Sequence, residues 1–241
     1  MVQMNSQKQT LARKPVRVAF QKTGALQYIS HLDLQRTMTH AIIRADIPVW
    51  YTEGYNPKPR LNFSTPLSIG TQSHYELMDF QIVLSDNEAE MPDLVQMRDA
   101  LNATLPPELM VLDVYEPTRR FTDIVYSAYT IRISESDVNS DLLEKCCRAL
   151  IARPLVVMKR TKSGEKETDI SPMIREMKIS GEDNEIVLRV LLTASSDSFL
   201  NPEYVVTALF ESGVLKPLDR TEREYSIVRE DLLDGEQKHF T

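Results

Sequence analysis

Lys22, Tyr28, His31, Asp33 and Arg36 crowd into the stretch FQKTGALQYISHLDLQR, and Tyr55, Asn56, Lys58 and Arg60 follow in EGYNPKPR. Side chains of these types suit a polyanion, since lysine and arginine neutralise phosphates and a tyrosine ring stacks on a base. His31 is the group suited to moving a proton, because an unperturbed imidazole titrates at about 6.5. The plainer alternative is a packing or hydrogen-bonding residue in the first turn of a helix. The other histidines, His40, His74 and His239, stand at no spacing that would complete a metal site with it.

The helix carrying this cluster reads SHLDLQRTMTHAIIRA. Ser30 is a suitable N-cap, and Asp33 makes it an S-x-x-D variant of the capping box. Leu34, Met38, Ala41 and Ala45 form an apolar stripe, while Asp33, Arg36, Thr37, His40 and Arg44 follow another side, as an ordinary solvated face also would. The helix's amino end, beside Lys22, Tyr28 and His31, offers amides and a dipole to a phosphate, with the Asp33 carboxylate competing for the same amides.

The segment from Thr52 to His74 is far longer than the roughly 2–5 residues a hairpin needs, and loops beyond about 12–15 residues are usually functional or disordered. Pro57, Pro59 and Pro66 argue for a stiff loop that holds Lys58 and Arg60 outward with little backbone entropy left to lose. The same prolines equally suit a rigid cover over a sheet edge, anchored by Tyr55, Leu61 and Phe63.

Around these features the periodicity predicts strands at RVAF, IPVWY, YELMDFQIVL and LMVLDVY and a second helix at DLVQMRDALNAT, the β-α-β-β-α-β order of a ferredoxin-like unit. The order recurs after EPTRRFTD with YSAYTIRIS, the helix DLLEKCCRALIA, PLVVMKRT, MIREMKIS, NEIVLRVLL, the helix PEYVVTALFES and EYSIVRE. The expected fold class is therefore α+β, with two tandem ferredoxin-like halves at residues 14–118 and 119–232, the basic loop at 52–74, and flexible tails at 1–13 and 233–241. A second basic patch, Lys159, Arg160, Lys162 and Lys166 in MKRTKSGEKE, falls in a hairpin of the second half, where charged tips are usually solubilising.

The net charge of −7 conceals an asymmetry. Residues 1–63 hold nine Lys and Arg against three acidic residues, a local excess of +6 that leaves −13 on the remainder. Such a distribution attracts a polyanion at one face and repels it elsewhere. No apolar run approaches the roughly 18 residues of a membrane span, and the polar start lacks the middle of a secretory signal, so a cytoplasmic protein without membrane contact is expected. Adjacent Cys146 and Cys147 suit neither a disulfide nor zinc. No Gly-rich phosphate loop, G-x-S-x-G or C-x-x-C motif occurs, and no cofactor is expected.

The run FQKTGALQYISHLDLQR, RADIP and EGYNPKPRLNFSTPLSIGTQSHYELMD resembles the radical-SAM-linked protein family, through F-x-K-x-G, Y-x-S-H-L-D-L-x-R, G-[FY]-N-P-x-P, P-L-x-x-G and E-x-x-D. The matching residues are Phe20, Lys22, Gly24, Tyr28, Ser30, His31, Asp33, Arg36, Gly54, Asn56, Pro57, Pro59, Gly70, Glu76 and Asp79. Lys58 stands where many relatives have His. The resemblance implies an uncharacterised domain found alone or attached to a cobalamin-binding radical SAM protein, hence an accessory with a radical SAM enzyme as partner. The chain itself lacks the C-x-x-x-C-x-x-C cluster of such an enzyme.

The leading expectation is a non-catalytic RNA-binding accessory module using Lys22, Tyr28, His31, Arg36, Arg44, Tyr55, Asn56, Lys58 and Arg60, which presents structured RNA to that partner. One alternative is a metal-independent endoribonuclease with His31 as base, Asp33 orienting it, and Lys22 or Arg36 stabilising the phosphorane. The other is a protein-only adaptor for the radical SAM enzyme.

Overall fold

Residues 13–22 form a strand whose centre, Val16 to Phe20, is buried on both faces, which is why the sequence there reads as an almost unbroken apolar run. This strand, β1 (Arg13–Lys22), opens a computed structural model that describes residues 12–84, 91–135, 138–161, 164–215 and 225–241. The elements that follow are α1 (His31–Arg44), β2 (Asn62–Phe63), β3 (Thr71–Val83), α2 (Leu94–Asn102), β4 (Val111–Tyr115), β5 (Tyr126–Ser134), α3 (Ser140–Ile151), β6 (Val156–Thr161), β7 (Gly164–Asp169), β8 (Ile174–Glu182), β9 (Glu185–Thr193), α4 (Glu203–Glu211) and β10 (Tyr225–Leu233). The class is α+β, with a mixed sheet and four helices among the described residues.

The chain divides into two units. One comprises Met1–Gln21, Ser30–Ser64 and Leu77–Thr118; the other comprises Lys22–Ile29, Thr65–Glu76 and Arg119–Thr241. A cut at 118/119 alone does not anticipate that two stretches from the front of the chain, Lys22–Ile29 and Thr65–Glu76, group with the second unit.

In the first unit β1 lies between β4 and β3, with Arg17 opposite Tyr115 and Val18 opposite Val114 on the β4 side. β2 adds to β3 with Asn62 opposite Asp79. Helix α1 buries Leu34, Met38, Ala41 and Ile42, and each large apolar side chain removed from water there contributes about 1.5–3 kcal/mol. The Asp93 carboxylate starts α2 by accepting from the amides of Val95 and Gln96. The strand expected at IPVWY does not form a ladder. Val49 makes one bridge to Ile82, and Tyr51 then turns away to pair with Pro59, so the pairing ends before a strand can build.

In the second unit β10 pairs parallel with the start of β3 (Ile227 opposite Thr71) and antiparallel with β5, followed by β9 and β8. One sheet face, with Tyr129, Ile131, Ile133, Leu188 and Ile227, packs on Cys146 and Leu150 of α3 and Val205, Val206 and Leu209 of α4. PLVVMKRT stays off the large sheet and pairs with β7 in a separate two-stranded one, Val156 opposite Asp169 and Thr161 opposite Gly164.

The tail expected at 233–241 is corrected by the structure. Leu233 bridges His239, the Asp234 amide donates to the Lys238 carbonyl, and Phe240 is fully buried, so an aromatic side chain anchors what the polar composition suggested was loose. The tail expected at 1–13 lies, up to residue 11, outside the described residues, and Arg13 already belongs to β1.

Candidate functional site

In the first unit, short backbone contacts aim a cationic, aromatic cavity. The Trp50 amide donates to the Gln81 carbonyl at 2.7 Å and the Val83 amide to the Pro48 carbonyl at 2.7 Å, which fixes the chain after α1 against β3. β2 lies on the same strand, bringing Asn62 opposite Asp79. The result is a cavity of about 370 Å³ lined by Arg13, Pro15, Trp50, Arg60, Asn62, Asp79, Phe80 and Gln81. Its size is within the range of small-ligand clefts. The Arg13 guanidinium sits 4.3 Å from the Trp50 ring centre, a cation–π contact. Asp79 is taken by Arg17 through a two-pronged pair at 2.7 and 2.9 Å. That pairing neutralises the cavity's one carboxylate, while Arg13 and Arg60 make no ion pair with a described residue.

The loop beside it folds back on itself. The Thr52 amide donates to the Lys58 carbonyl at 3.0 Å, the Lys58 amide to the Thr52 hydroxyl at 3.3 Å, and Tyr51 bridges Pro59. Gly54 takes φ +133° at its tip with open space around it, a conformation that side-chain-bearing residues resist. Tyr55 is fully exposed, and Asn56, Lys58 and Arg60 are exposed with it. The prolines thus close a small lobe rather than extending a straight strip. Leu61 is buried as an anchor, but Tyr55 is not.

The residues around α1 are held by local contacts. His31 is exposed, and its ring stands edge-on to Phe63 at 5.0 Å; Phe63 in turn meets Phe20 at 6.2 Å. Asp33 does not orient it. The Asp33 carboxylate accepts from the Ser30 hydroxyl at 2.6 Å and from Arg36 at 3.1 Å, and the Asp33 amide donates back to the Ser30 oxygen at 3.2 Å. The Ser30 hydroxyl holds the Asp33 carboxyl below its ordinary pKa. Arg36 is thereby paired at the surface, and Arg44 is exposed on the same helix.

Lys22, expected to touch a phosphate, is only 2% exposed, because it ends β1 pointing into the second unit's interior. There it is electrostatically coupled to Glu76 and Arg229, and burial lowers its pKa. Arg229, fully buried on β10, donates to Glu76 Oε1 at 2.8 Å, to the Thr65 and Pro66 carbonyls at 3.4 and 2.6 Å, and twice to the Tyr129 hydroxyl at 3.2 Å. Burial works against the Arg229 charge, and Glu76 and Tyr129 outweigh it. Tyr28 in this unit is 58% exposed.

In the β6–β7 ribbon Lys159 is drawn inward, donating to the Phe199 carbonyl at 3.3 Å and lying 5.9 Å from the Tyr204 ring centre, whereas Lys166 is exposed. Lys162 lies outside the described residues.

Of the expected set, Arg60 alone lines the cavity. Sequence reasoning missed Arg13, Trp50, Asn62 and Gln81, and it missed Arg229. The available signals were the chain's single tryptophan at the end of IPVWY and an arginine at an inward, alternate position of EYSIVRE.

The family model described as "Uncharacterized protein conserved in bacteria (DUF2344)" matches residues 15–202. The chain belongs to this family. No curated protein matches the DUF2344 chain. It is also similar to a crystal structure titled as an unknown protein from Galdieria sulphuraria, at 14% identity, covering 92% of this chain and 99% of that one, with a TM-score of 0.26. At that score the likeness carries no argument. No helix among the described residues is long and apolar enough to cross a membrane.

Proposed function

We propose that this DUF2344 protein is a non-catalytic RNA-binding module whose first unit takes a single-stranded segment. The observation that carries this reading is the cavity lined by Arg13, Arg60 and Trp50, whose only carboxylate is already paired with Arg17. The cations meet the phosphate charge, and Trp50 and the exposed Tyr55 provide ring faces on which bases stack at about 1–3 kcal/mol each. Lys58 and Arg44 add exposed positive charge in the same unit. His31, Arg36 and Asn56 remain peripheral contacts, and Lys22 leaves the set because it is buried.

Two finer readings accompany this one. Each unit is proposed to be ferredoxin-like, supported by the strand order β10-β5-β9-β8 in the second and by β4 and β3 flanking β1 in the first. A radical SAM enzyme is the proposed protein partner in the cytoplasm, supported by the motif resemblance. Co-purification that survives nuclease treatment tests that partnership.

The RNA reading is tested by fluorescence anisotropy with a labelled single-stranded RNA across a salt series. Binding should weaken steeply with salt, and Lys58→Ala and Arg60→Ala should each lower the slope of log K against log salt by about one. Absence of affinity at low salt removes the reading. Cleavage in EDTA to 2′,3′-cyclic phosphate ends, abolished by His31→Ala, would replace it with a nuclease.

A further inference from the structure

Lys22 is a recessed cation beside a second one. Its side chain is 2% exposed, it makes no hydrogen bond with a described residue, and its neighbours by charge are Glu76 and Arg229. Glu76 accepts from Arg229 at 2.8 Å through Oε1, and it makes no ion pair with Lys22. Arg229 is equally committed, since its N–H groups go to Glu76, Tyr129 and the carbonyls of Thr65 and Pro66. One positive charge is therefore left over in a buried cluster of two cations and one carboxylate.

Two hydroxyls add to the surplus of donors. Thr65 Oγ1 and Thr71 Oγ1 are buried without a hydrogen-bond partner. Thr65 supplies a carbonyl to Arg229, and Thr71 stands two residues before Ser73, the ladder partner of Arg229. Each unmade buried hydrogen bond costs about 1–3 kcal/mol, so a protein rarely keeps such groups without something to receive them.

We propose that Lys22, with the hydroxyls of Thr65 and Thr71, forms a recessed site in the second unit for a phosphate-sized oxyanion. A tetrahedral anion offers several acceptor oxygens to these donors and offsets the surplus positive charge. This site goes beyond the RNA reading and does not rest on it, since none of its residues lines the first unit's cavity.

Equilibrium dialysis of the full chain against radiolabelled inorganic phosphate, at constant ionic strength in chloride, tests the site. Wild type should bind a single phosphate saturably, Lys22→Met should weaken it about tenfold or more, and Lys145→Ala, at an exposed cation on α3, should leave it unchanged. If Lys22→Met fails to fold, Thr71→Val carries the test: it keeps the volume, removes one donor, and should weaken binding several-fold. Displacement by uridine 5′-monophosphate assigns the site to a phosphate ester, and displacement by unlabelled phosphate alone assigns it to the free anion. No saturable binding, or equal binding by wild type and whichever variant folds, overturns the proposal and leaves water as the partner of Lys22. Trp50→Ala should not alter this binding, so failure here and failure of the RNA reading are separable.

Discussion

Lys22 gives a pH effect whose sign follows from its burial. The folded chain holds its pKa below the ordinary 10.5, so between the two values the unfolded chain binds more protons and stability rises with pH. Below the folded value the whole penalty is present. Urea midpoints measured upward toward pH 10.5 should therefore climb in wild type, and Lys22→Met should flatten that climb. Removing the carboxylate partner of Arg229 acts in the opposite direction. Glu76→Gln leaves a buried guanidinium without its counter-charge and should cost about 3–5 kcal/mol in a urea titration. The cysteines should also separate. Burial raises the Cys146 thiol to about 11, and Cys147 is only half-buried, so iodoacetamide at neutral pH should modify Cys147 well before Cys146 in a mass-spectrometric time course.

Helix α1 and the loop after it show which local features the sequence made legible. The Ser30 cap, the Leu34/Met38 stripe and the strand pattern of β3 were readable because each rests on short-range spacing. Ser30→Ala should cost about 0.5–2 kcal/mol by leaving the Asp33 amide without its oxygen. What spacing does not carry is where a long side chain goes. Lys22 and Arg36 are both cations in one motif, yet one ends a strand inside the second unit and the other pairs with Asp33 at the surface. The loop shows the same limit. Its prolines signalled stiffness, but the turn at Gly54 and the Thr52–Lys58 closure depend on a hydrogen bond back to the loop's own start. Gly54→Ala meets no steric neighbour but must adopt φ +133°, so a strain of about 1–3 kcal/mol should fall on the loop alone. The thermal midpoint should fall by the few degrees such a strain implies, and RNA affinity should fall with it.

Across the full chain, acid should destabilise through carboxylates tied down in both units. Asp33 is held low by the Ser30 hydroxyl, Asp169 by Ser171, Glu182 by Arg189, and Asp234 first by the Lys238 amide. A depressed folded pKa contributes stability that is complete above the ordinary carboxylate values of about 4 and disappears as pH falls through the folded values. Thermal midpoints should thus hold steady toward pH 5 and drop below about 4. The α+β class was readable from alternating helix and strand periods, whereas the assignment of Lys22–Ile29 and Thr65–Glu76 to the second unit was not, since it depends on contacts such as Arg229 with Thr65 that lie far apart in sequence. The cavity was hidden for the same reason: Arg13, Trp50, Arg60 and Gln81 come from four separate segments. The chain's one tryptophan lies in that cavity and makes it directly observable. Titrating a single-stranded RNA oligonucleotide at low salt should change Trp50 fluorescence saturably, with Arg60→Ala shifting the midpoint to weaker affinity. An unchanged Trp50 signal while anisotropy reports bound RNA would contradict the account, because it would place the RNA somewhere other than between Arg13, Trp50 and Arg60.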